Sequence, residues 1–375
     1  MLRPRTPSKR RDSPPRARAR RAARLLAPAI LLLSLETAGA ARRPGPAPQP
    51  GRGRIARNTA CVGCHPDIAA EWSASLHRAA ADDPEYLRAH AREPRRFCRA
   101  CHVPEAMPDR PPDPAAEAIG VACVTCHWAG PDAVLAAPGP TTAAARAAHR
   151  VVESIDMAGP AACADCHEFP FPDQALRARP AFMQRTAAEH RASWAADYAC
   201  ADCHMPWVDA PGGGHRSHRF DGSRSPAAAA LALGVAATRR GPDTVDITLT
   251  PGAAGHAFPT GDLFRRLEVR VEPLAPGRAI PPQIRHLGRR FADGQELPGF
   301  VVRREIADDR ITDRPVTLHF TLPDAAPDAC EDPSGLWIAY RVSYQRVADA
   351  HGGTIEGELV LAEGLLLPWE PTSHE

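Results

Sequence analysis

Five copies of one short motif lie between positions 61 and 204. The motif is C-x-x-C-H, and its copies are CVGCH at 61–65, CRACH at 98–102, CVTCH at 123–127, CADCH at 163–167 and CADCH at 200–204. This spacing is the attachment signature of c-type haem. Two cysteines three positions apart lie on one side of a helical turn, so both thiols can bond to the haem vinyl groups. The histidine that follows can then ligate the iron.

Each copy of the motif therefore supplies two attachment residues and one iron ligand. The predicted haem-attaching residues are Cys61, Cys64, Cys98, Cys101, Cys123, Cys126, Cys163, Cys166, Cys200 and Cys203. The predicted proximal iron ligands are His65, His102, His127, His167 and His204. The implied cofactors are five covalently attached c-type haems. The eleventh cysteine, Cys330, has no internal partner left, and we expect a buried free thiol or, less favoured, an intermolecular disulfide.

Other uses of paired cysteines fit the pattern poorly. A structural zinc site needs four ligands, usually from two cysteine pairs, and five pairs each followed by histidine do not divide in that way. A disulfide scaffold does not require a histidine after every second cysteine, and iron–sulfur clusters take four thiolates from other spacings. Covalent haem is the interpretation that uses every residue of the motif.

The first forty residues predict an export signal. A basic segment up to Arg24 precedes an apolar core at 25–35 and an A-x-A cleavage site that ends at Ala40. Spanning a bilayer takes about 20 apolar residues, so we expect no transmembrane anchor after cleavage. The segment 1–40 also holds ten basic and only two acidic residues, so the formal charge of +2 belongs to the signal and predicts no nucleic-acid partner. The predicted location is the periplasm.

Composition divides the chain into four predicted segments. These are a signal peptide at 1–40, a Pro/Gly/Arg-rich linker at 41–58, a pentahaem domain at 59–222 and a β-rich C-terminal domain at 223–375. The predicted fold class is mixed: short α-helices and long loops packed around covalent haems, followed by an all-β, sandwich-like domain.

The two larger segments differ in their hydrophobic patterns. Apolar residues alternate at Val245/Ile247/Leu249, Leu267/Val269/Val271, Val316/Leu318/Phe320/Leu322 and Ile338/Tyr340/Val342/Tyr344, which predicts strands. The cysteine-rich segment instead contains short runs with helical signals, and we expect helices over Pro66–Arg78 and Pro180–Tyr198.

Several phrases resemble the multihaem c-type cytochromes of the cytochrome c-552/c-554-like group, over about residues 59–262. The phrases are CVGCHPDIAAEWSASLH from Cys61, GVACVTCH at 120–127, FMQRT at 182–186 with Glu189 and Ser193, CADCHMP from Cys200, His218-Arg219-Phe220-x-Gly222, and GHAFPTG at 255–261. By this resemblance, His77, His149, His218 and His256 are the best candidates for distal iron ligands, and His90 is the fifth. His190 is a further candidate, although relatives tend to carry tryptophan there, and His215 is an alternative to His218.

Two functions compete for such a chain. The favoured hypothesis is a periplasmic electron carrier whose bis-histidine haems pass electrons between a membrane-linked donor and a reductase, with redox proteins as partners and no catalytic residues. The alternative is a pentahaem reductase of nitrite or hydroxylamine, which needs one open haem. The best-known reductases of this kind use C-x-x-C-K at that haem, whereas all five motifs here end in histidine and the only lysine is Lys9.

Overall fold

In its described residues, the region that carries the five motifs contains short helices and short paired strands. The computed structural model describes residues 52–107, 110–139, 148–172, 181–210, 214–222, 224–293, 303–322, 333–348 and 353–370. The predicted signal at 1–40 and Cys330 lie outside these residues. Everything described belongs to one compact unit, which runs from Arg43 to Glu375.

Ten helices are described. They are α1 (Arg52–Cys64), α2 (Pro66–Ser73), α3 (Pro84–Arg92), α4 (Arg96–His102), α5 (Pro114–Glu117), α6 (Cys123–His127), α7 (Ala161–His167), α8 (Thr186–Arg191), α9 (Cys200–His204) and α10 (Pro226–Ala232). Proline at the first position starts α2, α3, α5 and α10, because its missing N–H has no partner there in any helix. In α3 the Asp83 carboxylate also accepts hydrogen bonds from the backbone N–H groups of Glu85 and Tyr86.

Local structure adds one helix to the predicted linker and corrects one predicted helix. Helix α1 begins at Arg52, so residues 52–58 at the end of the predicted linker 41–58 are helical. The segment predicted as a helix at Pro180–Tyr198 instead contains strand Phe182–Arg185 followed by the short helix α8. The strand forms because it pairs with Glu168–Pro170, directly after the fourth motif, and this long-range pairing overrides the local helical pattern.

Three small sheets lie in the motif-bearing region. Their strands are β1 (Ala133–Ala136) with β2 (Arg150–Glu153), β3 (Glu168–Pro170) with β4 (Phe182–Arg185), and β5 (Trp207–Val208) with β6 (His215–Arg216). The first pair is parallel and the other two are antiparallel. Each pair brings together two segments that are separate in the sequence and close to a motif.

The C-terminal half is rich in strands, as the alternating apolar residues predicted. Its strands are β7 (Leu233–Arg239), β8 (Thr244–Pro251), β9 (Arg265–Ala275), β10 (Arg278–Ala279), β11 (Gln283–Asp293), β12 (Arg303–Asp308), β13 (Val316–Thr321), β14 (Trp337–Val347) and β15 (Ile355–Leu366). One sheet has the order β12–β11–β9–β14–β15, with β10 paired to β9, and the other has the order β13–β8–β7. All these pairings are antiparallel.

Side chains from both sheets share one hydrophobic cluster of sixteen buried residues. Val245, Ile247 and Leu249 of β8 and Leu267 and Val269 of β9 are fully buried in it. The period of two places these residues on one face of each strand, so each sheet contributes a continuous apolar surface. Among the described residues, no helix is both long enough and apolar enough to cross a membrane.

Candidate haem-binding sites

Four of the five motifs end a helix with their histidine. His102, His127, His167 and His204 are the last residues of α4, α6, α7 and α9, and His65 directly follows Cys64, the last residue of α1. The two cysteines of each motif are thus separated by about one helical turn, as attachment to a single haem requires. The ten motif cysteines are all free of disulfide bonds. In the part of the chain that is described, no group of three or more His, Cys, Asp or Glu residues could hold a metal ion.

A backbone carbonyl engages Nδ1 of most motif histidines whose contacts are described. The Nδ1–oxygen distances are 2.6 Å from His102 to Ala80, 2.7 Å from His127 to Leu135 and 2.7 Å from His204 to Asp221. An Nδ1–H that donates to a carbonyl leaves Nε2 as the lone-pair nitrogen. These bonds therefore prepare each imidazole to ligate iron through Nε2 and hold its ring in a defined orientation.

Four motif histidines each have a second histidine ring opposite them. The centroid separations are 6.4 Å for His65–His149 and 6.3 Å for each of His77–His167, His127–His218 and His204–His256. A metal–imidazole bond is about 2 Å long and the ring centroid lies roughly 1 Å behind the nitrogen, so two imidazoles on one metal have centroids about 6 Å apart. The four separations fit a haem iron between the two rings.

The second histidines come from four different parts of the chain. They are the four favoured distal candidates from the sequence, and each has its ring near the histidine of a different motif. His149 lies opposite the first motif, His218 opposite the third, His77 opposite the fourth and His256 opposite the fifth.

Burial keeps several of these imidazoles neutral. It lowers the pKa of His77 to about 3 and that of His167 to about 4, with nearby histidines acting in the same direction. Burial likewise lowers the pKa of His127, His218 and His256, partly opposed by their backbone hydrogen bonds. A neutral imidazole is the form that ligates a metal.

The second motif differs from the other four. Among the described residues, no histidine ring lies opposite His102 at the separation seen elsewhere. The Tyr86 ring is stacked on His102 instead, with centroids 3.8 Å apart and planes 10° from parallel. The ring of His90, the predicted fifth distal ligand, has its centroid 5.5 Å from that of the Tyr86 ring. The Nε2 atom of His90 is buried and has no hydrogen-bond partner. The structure does not pair His90 with His102, so that assignment stays a prediction.

The two alternative histidines have other surroundings. His215 lies on β6, with its Nε2 3.3 Å from a carboxylate oxygen of Glu71. His190 is 6% exposed on α8, and its Nδ1 has no partner. Neither has a ring contact with a motif histidine among the described residues. Of His215 and His218, it is His218 whose ring lies near His127 of the third motif.

The loop that carries His256 is held from both sides. Phe258 exchanges two backbone hydrogen bonds with Ile311, and the buried Arg310 guanidinium donates to the carbonyl of Pro259. Thr260 donates its hydroxyl to the Glu189 carboxylate at 2.6 Å, and Glu189 also pairs with Arg310 at 2.7 Å. Because Glu189 lies on α8 and the loop joins β8 to β9, these contacts fix the His256 loop against the motif-bearing region.

Two aromatic side chains near the histidines had no assigned role in the sequence. Phe220 contacts both His77 and His218, at centroid distances of 4.2 Å and 5.7 Å, and takes a positive φ of 53° that is rare for a phenylalanine. Tyr86 stacks on His102. Neither position follows from local sequence, because each depends on which helices meet in the folded chain.

Contacts between motif thiols bring the five motifs close together. The pKa values of thiols from different motifs affect each other, which shows that Cys61 lies near Cys123, Cys101 near Cys166 and Cys163 near Cys200. Cys166 also lies near enough to Cys126 to raise the pKa of its thiol, in addition to the effect of burial. The first motif therefore lies beside the third, the third beside the fourth, and the fourth beside both the second and the fifth.

Comparisons with known proteins agree with this description. The family model for cytochrome c554 and c-prime matches residues 60–128, which hold the first three motifs. A crystal structure of a penta-heme cytochrome c552 from Thermochromatium tepidum superposes with a TM-score of 0.60 at 17% identity, covering 82% of this chain and 97% of that chain. No curated protein sequence matched the chain. The predicted resemblance is confirmed: the chain is similar to the multihaem c-type cytochromes of the cytochrome c-552/c-554-like group.

Proposed function

We propose that the protein is a periplasmic pentahaem c-type cytochrome that carries electrons between a membrane-linked donor and a reductase. The observation that carries this proposal is the set of four histidine pairs at 6.3–6.4 Å. Two imidazoles saturate a haem iron, and a saturated iron exchanges electrons without binding substrate. The penta-heme cytochrome with the same fold supports the count of five haems.

In this proposal the ten motif cysteines hold the haems and the motif histidines bind iron on one side. His149, His218, His77 and His256 bind it on the other side. Bound haem would supply the one-electron chemistry, while the chain keeps the imidazoles neutral and oriented. The helical region would pack around the haems, and the two C-terminal sheets would form a sandwich beside it.

The contacts between motifs support an electron-carrying role. A carrier must hold its haems at short edge-to-edge distances, and thiols of neighbouring motifs touch at three places. Their order gives a continuous series from the first motif through the third and fourth to the fifth, with the second beside the fourth. Such a series offers entry and exit points at opposite ends.

One observation favours the alternative, a reductase with an open haem. Among the described residues, no histidine ring lies near His102 at the separation of the other four pairs, so an iron bound there would have an exchangeable position if His90 does not ligate it. We keep this as the second candidate, with nitrite or hydroxylamine as the substrate class. The carrier remains preferred because the other four sites have two histidines each.

Substituting His256→Ala tests the proposed ligand arrangement. All five haems should stay attached, because the thioether bonds do not involve this residue, and one iron should change from low to high spin. The measurement is intact-protein mass together with the visible and EPR spectra. A matched control is His286→Ala, which removes an exposed strand histidine paired with Glu268 and should leave the spectra unchanged. A variant His256→Ala without a new high-spin signal would contradict the proposed ligand.

Cyanide binding and nitrite reduction distinguish the two functions. A carrier should show slow cyanide binding at no more than one haem and no nitrite or hydroxylamine turnover with an artificial electron donor. Rapid cyanide binding at one haem, together with turnover, would establish the reductase. Mass of the wild-type protein tests the count directly, because fewer than five haems would contradict both candidates.

A further inference from the structure

The second motif's histidine is held by two contacts that differ in kind. Its Nδ1 is 2.6 Å from the Ala80 carbonyl oxygen, which fixes one edge of the ring. The Tyr86 ring covers one face, nearly parallel at 3.8 Å. In the described residues, no other motif histidine has an aromatic ring stacked this closely. A hydrogen bond alone permits the ring to rotate about the line through Nδ1, whereas a stacked ring opposes that rotation.

Helix α3, which carries Tyr86, is fixed by ion pairs at both of its ends. At its N-terminus, Arg224 pairs with Asp83 and also with Glu85 at 2.7 Å, and Arg346 of β14 pairs with Glu85 at 2.8 Å. The Asp83 side chain is 10% exposed and that of Arg346 is 10% exposed, so water screens these pairs weakly.

At its other end, α3 meets the strand β15. Arg92 and Arg88 pair with the Glu356 carboxylate at 2.8 Å and 3.4 Å, and that side chain is 6% exposed. Arg92 also donates to the carbonyl of Ala348. The β-rich region therefore determines where α3 lies, and with it the position of the Tyr86 ring.

We propose that Tyr86 is a positioning residue for the haem bound at the second motif: by stacking on His102 it sets the plane of the proximal imidazole, and the β-rich region holds Tyr86 in place through helix α3. The inference rests on the proposed function, since it requires a haem at the second motif. Groups that orient an axial ligand tune the electronic state and reduction potential of its iron. The haem at the second motif would thus differ from the others in how its ligand is oriented, and among the described residues no histidine ring lies near His102 at the separation of the other four pairs.

The stacked ring, and not the hydroxyl, does the positioning, which makes the conservative variant informative. Tyr86→Phe keeps the ring, and all five haems should retain their wild-type potentials and EPR signals. Tyr86→Leu fills the space without a flat ring, and the EPR signal of one haem should change. At a fixed applied potential, the ratio of oxidised to reduced iron at that haem should change by about threefold. The matched control is Leu87→Ala, which truncates an exposed side chain on the same helix.

A spectroelectrochemical titration with EPR on the holoprotein, plus intact mass, separates the outcomes. A change in one haem for Tyr86→Leu alone, with five haems attached, supports the inference. Wild-type behaviour of Tyr86→Leu, or an equal change in Leu87→Ala, overturns it. Equal changes in Tyr86→Phe and Tyr86→Leu also overturn it, because the hydroxyl would then be responsible. A wild-type mass that shows no haem at the second motif would instead contradict the proposed function.

The β-rich region's part is tested by Glu85→Gln, which weakens the anchors of α3 without altering Tyr86. The same haem should shift in the same direction as in Tyr86→Leu, by a smaller factor. A shift in all five haems would mean a general loss of structure and would overturn the role assigned to α3, as would no shift at all.

Discussion

The two halves of the molecule form their interiors in different ways. In the β-rich region sixteen buried apolar residues form one cluster between strands. In the motif-bearing region the buried clusters are small: Ala81, Val103, Ala106 and Ala116 form one, and Trp72, Ala122 and Val124 form another. Folding is driven mainly by buried apolar area, which these small clusters supply poorly. The comparison teaches that the strands carry their own apolar core, whereas the motif-bearing region has only small apolar clusters, as expected if bound haem completes its interior.

The largest expected effect is the different response of the two halves when haem attachment is prevented. If all ten motif cysteines of the full chain are replaced by alanine, residues 59–222 should lose their helical structure and become sensitive to protease. Residues 233–366 should keep their strands, because their core contains no haem. Circular dichroism and limited proteolysis with mass mapping measure both. Protection of the helical region in this variant would break the comparison.

The next effect tests the strand core from inside. Ile247 is fully buried at the centre of β8, and Ile247→Ala should lower the free energy of unfolding of the β-rich region by roughly 2–5 kcal/mol through lost burial and the cavity left behind. Denaturant unfolding, followed separately by strand circular dichroism and by haem absorbance, measures it. Ile306→Ala on β12 is the control, because that side chain is 54% exposed and should cost under about 0.5 kcal/mol. Similar losses in both variants would argue against a single strand core.

A smaller effect concerns acid stability at the junction of the halves. Arg265 and Arg346 hold the pKa of Asp262 down at about 2, against the opposing effect of burial. A carboxyl with an unfolded pKa near 3.8 and a folded pKa near 2 adds about 2 kcal/mol of stability above pH 4, and this is lost as the pH falls from 4 to 2. Asp262→Asn should therefore lower stability at pH 7 and flatten its decline below pH 4.

Unfolding midpoints measured from pH 2 to pH 7 check this expectation. Asp313→Asn is the control, because Asp313 has a side chain 67% exposed and should change little at any pH. An Asp262→Asn profile parallel to that of the wild type would show that the pair contributes nothing to acid stability.

The smallest effect tests the connection between the halves. Thr260→Val removes the hydroxyl that donates to Glu189, and the net loss for such a hydrogen bond is about 1 kcal/mol. Because this contact fixes the His256 loop, the variant should also show a small high-spin fraction that grows on mild heating. Visible absorbance recorded on heating to about 50 °C, near the usual melting range of mesophilic domains, measures this high-spin fraction. Thr312→Val, whose hydroxyl contacts only Asp313 in the described residues, is the control.

How far the sequence predicts this molecule depends on the range of the interaction. The attachment residues follow from a five-residue motif, and strands β8, β9, β13 and β14 follow from alternation, because both signals are local. The contact of His77 with His167 of the fourth motif does not follow from the local sequence. The two residues are ninety positions apart, and a single histidine has no pattern around it. For the same reason the local pattern predicts helix where β4 forms, because the partner strand β3 is more than ten residues away in the sequence.

The order in which the chain is made has a consequence for the four histidine pairs. Synthesis proceeds from the N-terminus, so His77 is already present when the fourth motif appears, whereas His149, His218 and His256 follow their partner motifs. His256 lies between β8 and β9, so under the proposed ligand set the fifth site would be complete only after these strands have begun to fold. Ligation at the fifth motif would then report that folding has reached the β-rich region.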